Sequence, residues 1–527
     1  MRSLLRILHL PVCFVLLASL AAAQGWTTEK RPDLGLEFQV PKTWEGLPAQ
    51  PDEQWVVLIY QEKVDPKKPK RAQRPTMSVV WIEHATQGAQ GAQGEEQADE
   101  QPGERRQKAR AVEPITSLES WTRQQMTGWT VGKAQGEPKK AKEWTGQEHA
   151  LLPGKGAIAG LEGWAWEWRN EARTIAFVAT CPKEDWEANA VLWRKMAADA
   201  VIAEPEDKDA GKLERMYAGK KLVDPAYRIE VRKKLIRGWR AEDAEHYILA
   251  TNSADKPLIK RVLSDLPVIR KEYEKLFPPV APITRASTVR VCKSRDEYLQ
   301  YGGAERTAGY WNSGSEELVL YDNAADQKAL KRADDLDTFV VLYHEAFHQY
   351  IHYSAGELPP HTWFNEGYGD YFSGAVIVNG KLKEIGVNSW RCDTIREAVS
   401  LEKHIPWREI VKYEQREYYD PTKVYICYAQ GWSMVYFLNK SKDVAKNPAW
   451  KKILPTYFDT LKSAFKEELE SIPEAARKPG LRGFEEAGYR ARTRANEAAF
   501  EGVDMDQIEG AWKIFVLDLV CPKREAK

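Results

Sequence analysis

The sequence predicts an α+β protein of more than one domain, and three observations lead there. A chain of 527 residues with 43% apolar content is too long for one ordinary domain and apolar enough to build at least two cores. Strand-like runs precede a mostly helical second half. A polar stretch, Pro205-Glu206-Asp207-Lys208-Asp209, separates two differently patterned segments. The expected division is a leader at 1–23, a small α+β sandwich domain at 24–204, a linker at 205–211 and a larger domain at 212–527.

The leader carries Arg2 and Arg6, then an apolar run, then Ala21-Ala22-Ala23 before Gln24. This is the pattern of a secretory signal with a small-residue cleavage site, so the mature chain is expected to be exported, periplasmic or secreted. Cys13 lies inside the apolar run, which argues against a lipid-modified cysteine. No later segment approaches the roughly eighteen apolar residues of a membrane span.

In the first domain the strand-like runs are Trp55–Tyr60, Met77–Ile82 and Thr174–Ala179, with a helical stretch at Lys183–Ala200. Residues 86–112 are poor in apolar side chains and dense in Gln, Gly and charge, the composition of a disordered insertion. The many tryptophans read as core rather than as a carbohydrate or peptide surface.

In the second domain, strands are expected at Tyr247–Thr251, Thr288–Cys292 and Glu317–Tyr321. Helices are expected through Leu258, Val262, Leu266, Ile269, Tyr273 and Leu276, with a kink at Pro267, and at Ser294–Tyr301. A helix capped by Asp337 or Asp335 then runs through Thr338–Ile351. Phe339, Tyr343, Phe347 and Ile351 recur every fourth residue and form its buried stripe.

Lys plus Arg and Asp plus Glu balance at 77 each, and no basic stripe with interleaved aromatics occurs, so a nucleic-acid partner is not expected. Outside the leader stand Cys181, Cys292, Cys392, Cys427 and Cys521, far apart and without CxxC pairing. Neither a disulfide framework nor a thiolate zinc site follows. One disulfide fits, and the odd count leaves at least one free thiol.

The chemistry concentrates in His344-Glu345-Ala346-Phe347-His348. Residues four apart on a helix lie one above the other, so both imidazoles can reach a single metal ion. Glu345 points about 100° away, where it can face metal-bound water without being a ligand. A catalytic zinc site takes three protein ligands and keeps one position open. Glu366, in Trp363-Phe364-Asn365-Glu366-Gly367-Tyr368-Gly369-Asp370, supplies the third from a following helix. Asp370, four residues on, shares its face and can accept the outer N–H of a ligand histidine.

With these residues in view the chain resembles the gluzincins, metallopeptidases defined by HExxH and a later helix bearing a glutamate ligand, over roughly residues 212 to 460. The resemblance implies a thermolysin- or aminopeptidase-like zincin domain holding one Zn2+ through His344, His348 and Glu366. Glu345 is the implied general base in hydrolysis of a peptide or protein substrate. Tyr428-Ala429-Gln430-Gly431 resembles the Tyr-x-x-Gly segment whose tyrosine stabilises the oxyanion, with Tyr425 as fallback. As in that superfamily, Glu317–Tyr321 is expected along the cleft, pairing with extended substrate, or else as an ordinary sheet strand. No Gly-x-Met-Glu-Asn segment is present, which points to an endopeptidase rather than an aminopeptidase. Ser354 stands six positions after His348, where a metzincin needs histidine. His352 and His361 read as structural or surface residues. The rival class is a non-catalytic binding or scaffold protein on a retained metallopeptidase fold. In the first domain, the opening GLEFQVPKTWEGLP and the strand-then-helix ending loosely resemble a PsbP-like sandwich.

Overall fold

The computed structural model describes residues 25–50, 53, 55–64, 73–84, 114–206, 211–305, 307–323 and 338–522. The leader, the insertion at 86–112, most of the linker and the proposed caps Asp335 and Asp337 lie outside them. The chain divides into two compact units between Met216 and Tyr217, a few residues beyond the predicted linker.

The first unit contains a seven-stranded antiparallel sheet and a three-stranded sheet. In the larger sheet, alternation sends Ala176 and Val178 to one face and Ile175 and Phe177 to the other, and all four are buried. Because both faces are covered, the strands read as continuous apolar runs rather than alternating ones. The first face packs with Leu118 and Trp121 of helix α1 (Leu118–Gln125) and with Trp129. On the second, Trp164 stacks on Trp193 of α2 (Trp186–Ala198) at 6.1 Å, and Trp168 donates its indole N–H to the Ala197 carbonyl. Phe38 of the smaller sheet sits edge-on to Phe177 at 5.3 Å. Among the described residues these tryptophans are core, as the sequence suggests.

The second unit opens on a five-stranded sheet. Three central strands, β1 (Tyr247–Thr251), β2 (Ser287–Cys292) and β3 (Glu317–Tyr321), run parallel. Two outer strands, β4 (Arg240–Ala244) on β1 and β5 (Gly309–Asn312) on β3, run antiparallel. Every residue of β1 and β3 is buried, as a covered parallel sheet requires. The strand Glu317–Tyr321 is therefore internal, with its backbone groups already paired to β2 and β5. The edges belong to Arg240–Ala244 and Gly309–Asn312. Hydropathy shows that a strand is buried but not where it stands in the order; of the two readings of Glu317–Tyr321, the ordinary sheet strand is the one its pairing on both sides supports.

Helix α3 (Lys256–Leu276) crosses from β1 to β2 and is continuous through Pro267. It packs against α4 (Thr338–Ser354), where Phe339, Tyr343, Phe347 and Ile351 are all buried. Hydrogen bonds lock α4 in place. Tyr273 donates to the Tyr343 carbonyl at 2.7 Å, Tyr343 to Asp265 at 2.6 Å, and Gln349 to Ser287 at 2.9 Å. Three further helices complete the frame of the site: α5 (Thr362–Ser373), α6 (Ser389–Ser400) and α7 (Val424–Lys440). Cys392 of α6 is joined to Cys521 by a disulfide, while Cys181, Cys292 and Cys427 are buried free thiols. Burial pushes the Cys181 thiol up to about 12 and the Cys427 thiol to about 11, so both stay protonated and inert near neutral pH.

Candidate metal centre

Helix α4 presents His344 and His348 one turn apart, their rings edge to face with centroids 4.6 Å apart. Across from them α5 carries Glu366. Its Oε2 lies 3.2 Å from His344 Nε2 and 3.6 Å from His348 Nε2. One ligand atom from each of the three residues lies within 4.8 Å of the other two. Ligands about 2.0–2.1 Å from a tetrahedral zinc stand about 3.3 Å from one another, so the donor set fits that ion in both chemistry and spacing.

The outer ring nitrogens are committed elsewhere, which fixes the direction of the inner ones. Asp370 Oδ1 lies 3.3 Å from His344 Nδ1, and a carboxylate can only accept there, so the ring proton sits on Nδ1 and Nε2 is left to coordinate. Asn365 Oδ1 does the same for His348 Nδ1 at 3.1 Å. The close approach of α4 and α5 depends on Gly369: a Cβ there would stand 2.8 Å from His344 Cε1.

Three residues that the sequence reading did not single out complete the surroundings. Arg391 of α6 donates to Asp370 Oδ2 at 2.6 Å, and Asn388 donates to the Asp370 main-chain carbonyl at 3.0 Å. Tyr419 donates its hydroxyl to Glu366 Oε1 at 2.7 Å. These contacts span 21, 18 and 53 residues of chain, so helical periodicity could not reveal them. The electrostatics follow from the grouping. Burial alone would raise the Glu366 pKa, but the charges and hydrogen bonds of His348 and His344 hold it well below the usual carboxylate range. Burial likewise opposes protonation of His344, and Asp370, Glu366 and Glu345 overcome it.

Glu345 is partly exposed on the adjacent face of α4. The edge strand β5 begins against this face: a Cβ at Gly309 would come 3.5 Å from Glu345 Cγ and 2.6 Å from Val341 Cγ1. Tyr428 stands within α7 rather than at its start, half-buried, with the Arg391 guanidinium 4.6 Å from its ring centroid and the Tyr418 and Tyr419 rings at 5.8 and 6.1 Å. Burial first, then the charges of Glu366 and Asp370, push its phenol pKa well above 10. Tyr425 is 63% exposed. Neither His352 nor His361 joins the cluster. His352 packs on Trp311 and Tyr353, and His361 is the residue preceding α5, its ring against the Tyr457 hydroxyl at 3.0 Å.

Comparisons with known proteins add a family and a likeness. Residues 339–448 match the family described as "Protein of unknown function (DUF1570)"; the segment holds every residue of the centre. No curated protein matches the sequence. The N-terminal region has a weak structural resemblance to cyanobacterial PsbP from Synechocystis sp. PCC 6803, at 11% identity, 34% of this chain, 94% of that chain and a TM-score of 0.23. LpqN of Mycobacterium tuberculosis, involved in cell envelope biogenesis, is similar at 11% identity, 34% of this chain, 91% of that chain and a TM-score of 0.20. Among the described residues no helix is long and apolar enough to cross a membrane.

Proposed function

We propose that this protein is an exported zinc-dependent peptidase, acting as an endopeptidase. The observation that carries the reading is the convergence of His344 Nε2 and His348 Nε2 on Glu366 Oε2 at zinc-ligand spacing, with Glu345 one residue from His344. Zinc, when bound, supplies a Lewis acid that brings the pKa of water down to about 7 and polarises a carbonyl.

The chain's own residues do the rest. The Glu345 carboxylate takes a proton from the attacking water and returns it to the leaving amine. Tyr428, kept neutral by its surroundings, donates its O–H to the negative charge that develops on the former carbonyl oxygen. Asp370 and Asn365 hold the two imidazoles in the coordinating tautomer. The backbone of Gly309–Asn312, an outer strand beside Glu345, can pair with an extended peptide, the role expected of Glu317–Tyr321. On this reading the second unit is zincin-like, and the disulfide between Cys392 and Cys521 suits an oxidising compartment outside the cytosol.

Digestion of a diverse peptide mixture with zinc present, read by mass spectrometry, tests the reading. Internal cleavage by wild type that disappears in Glu345→Gln is the expected result. Cleavage by neither protein, with zinc held by both, would favour a binding protein on a retained fold. Release of single N-terminal residues would make it an aminopeptidase.

A further inference from the structure

Helix α6 grips α5 at two points near its start. Asn388, the residue that precedes α6, donates to the Asp370 main-chain carbonyl at 3.0 Å, while its own side-chain oxygen accepts from the Trp390 N–H at 2.9 Å. Three positions on, Arg391 donates from Nε to Asp370 Oδ2 at 2.6 Å and from Nη2 to Oδ1 at 3.3 Å. The next residue is Cys392, whose disulfide to Cys521 anchors the same turn.

This fork bears on His344. A carboxylate held by a single donor can rotate about its Cβ–Cγ bond, whereas a guanidinium engaging both oxygens fixes its plane. The clamp is uneven. The short bond takes Oδ2, and the more loosely held Oδ1 faces His344 Nδ1 at 3.3 Å. Asp370 is only 2% exposed, so little water reaches it to stand in for Arg391 as a counter-charge.

Arg391 is itself held from another helix. Its guanidinium lies 4.6 Å from the centroid of the Tyr428 ring on α7, within cation–π range. That ring adjoins Tyr419 at 6.1 Å, and Tyr419 donates to Glu366 Oε1 at 2.7 Å. Contacts that orient two of the three candidate ligands therefore meet at Tyr428: one route runs through Arg391 and Asp370 to His344, the other through Tyr419 to Glu366.

We propose that Arg391 is a positioning residue of the metal centre, acting on His344 through Asp370, and that the ring of Tyr428 holds it in place. The inference rests on the zinc-site reading but not on peptidase activity. It divides Tyr428 into two parts, a hydroxyl that serves the oxyanion and a ring that serves the metal ligands.

Zinc affinity of the full chain, followed by competition with a chelator and with folding checked by melting, tests it. Arg391→Lys keeps the charge that buried Asp370 needs but loses the fork and the flat face, and a weakening of about tenfold is expected. In an Asp370→Asn background the same substitution should cost less than about twofold, because the route to His344 is already cut. Tyr428→Leu should weaken zinc by about threefold or more, whereas Tyr428→Phe, which keeps the ring, should stay within about twofold of wild type. Should Arg391→Lys fail to fold, the contrast between the two Tyr428 variants carries the test.

An Arg391 that only supports the fold would give the same loss in both backgrounds, and that result would overturn the proposal, as would unchanged affinity in Arg391→Lys. Equal losses in Tyr428→Phe and Tyr428→Leu would overturn the part given to the ring. Failure of wild type to bind zinc would instead overturn the zinc-site reading, and the proposal with it.

Discussion

The helix Thr362–Ser373 meets histidines at two places, and the two are electrostatic opposites. On one face His344 and His348 look into Glu366, Asp370 and Asn365, and the carboxylates hold His344 well above its ordinary pKa although desolvation opposes it. At the helix start His361 is buried more deeply, and burial and then the nearby Arg492 charge push its pKa down to about 3. Burial of a histidine therefore says little about function. The charge gathered around the ring differs in sign between the candidate metal ligand His344 and His361.

The largest expected effect breaks the first environment. Gly369→Ala would put a methyl 2.8 Å from His344 Cε1 and 2.9 Å from its Nδ1 and Nε2, so the imidazole must leave its position. Zinc affinity, followed by competition with a chelator, is expected to fall by about 100-fold or more, because an imidazole moved out of place no longer coordinates. Unchanged affinity would show that α4 and α5 can separate freely.

Asp370→Asn is next. It keeps the shape but weakens the acceptor for His344 Nδ1 and leaves Arg391 without its anion. A loss of about 10- to 100-fold in zinc affinity is expected, and the same chelator competition checks it. Tyr419→Phe removes one hydrogen bond to Glu366 Oε1, worth about 1 kcal/mol, so its effect should stay within about tenfold.

The smallest effect sharpens the contrast from the other side. Folded His361 protonates only near pH 3, whereas the unfolded residue does so near pH 6.5. The unfolded chain binds more protons in that window, so this group's stabilisation is present above about pH 6.5 and is lost as pH falls toward 3. His246, pushed down to about 4 by burial and then by Arg270, has the same sign. In His361→Asn the fall in melting temperature from pH 6.5 to 4.5 should be shallower than in wild type. An unchanged slope would assign the acid sensitivity to other groups.

What the sequence revealed follows physical range. The i, i+4 spacing of His344 and His348 and of Glu366 and Asp370 is local helical geometry, and the structure keeps both pairs on facing surfaces. The runs Tyr247–Thr251 and Glu317–Tyr321 match their strands residue for residue, because continuous burial leaves a continuous apolar signature. Strand order leaves no such trace, which is why the outer strand Gly309–Asn312, with its Gly, Tyr, Trp and Asn, escaped notice. Arg391 and Tyr419 reach the centre from α6 and from the segment before α7, and tertiary packing alone brings them there.

The most direct test of this contrast is the zinc content of purified wild type, His348→Ala and His361→Ala, measured by inductively coupled plasma mass spectrometry. One zinc ion per chain in wild type and in His361→Ala, with almost none in His348→Ala, is the result the account predicts. Zinc retained by His348→Ala, or lost from His361→Ala, would contradict it.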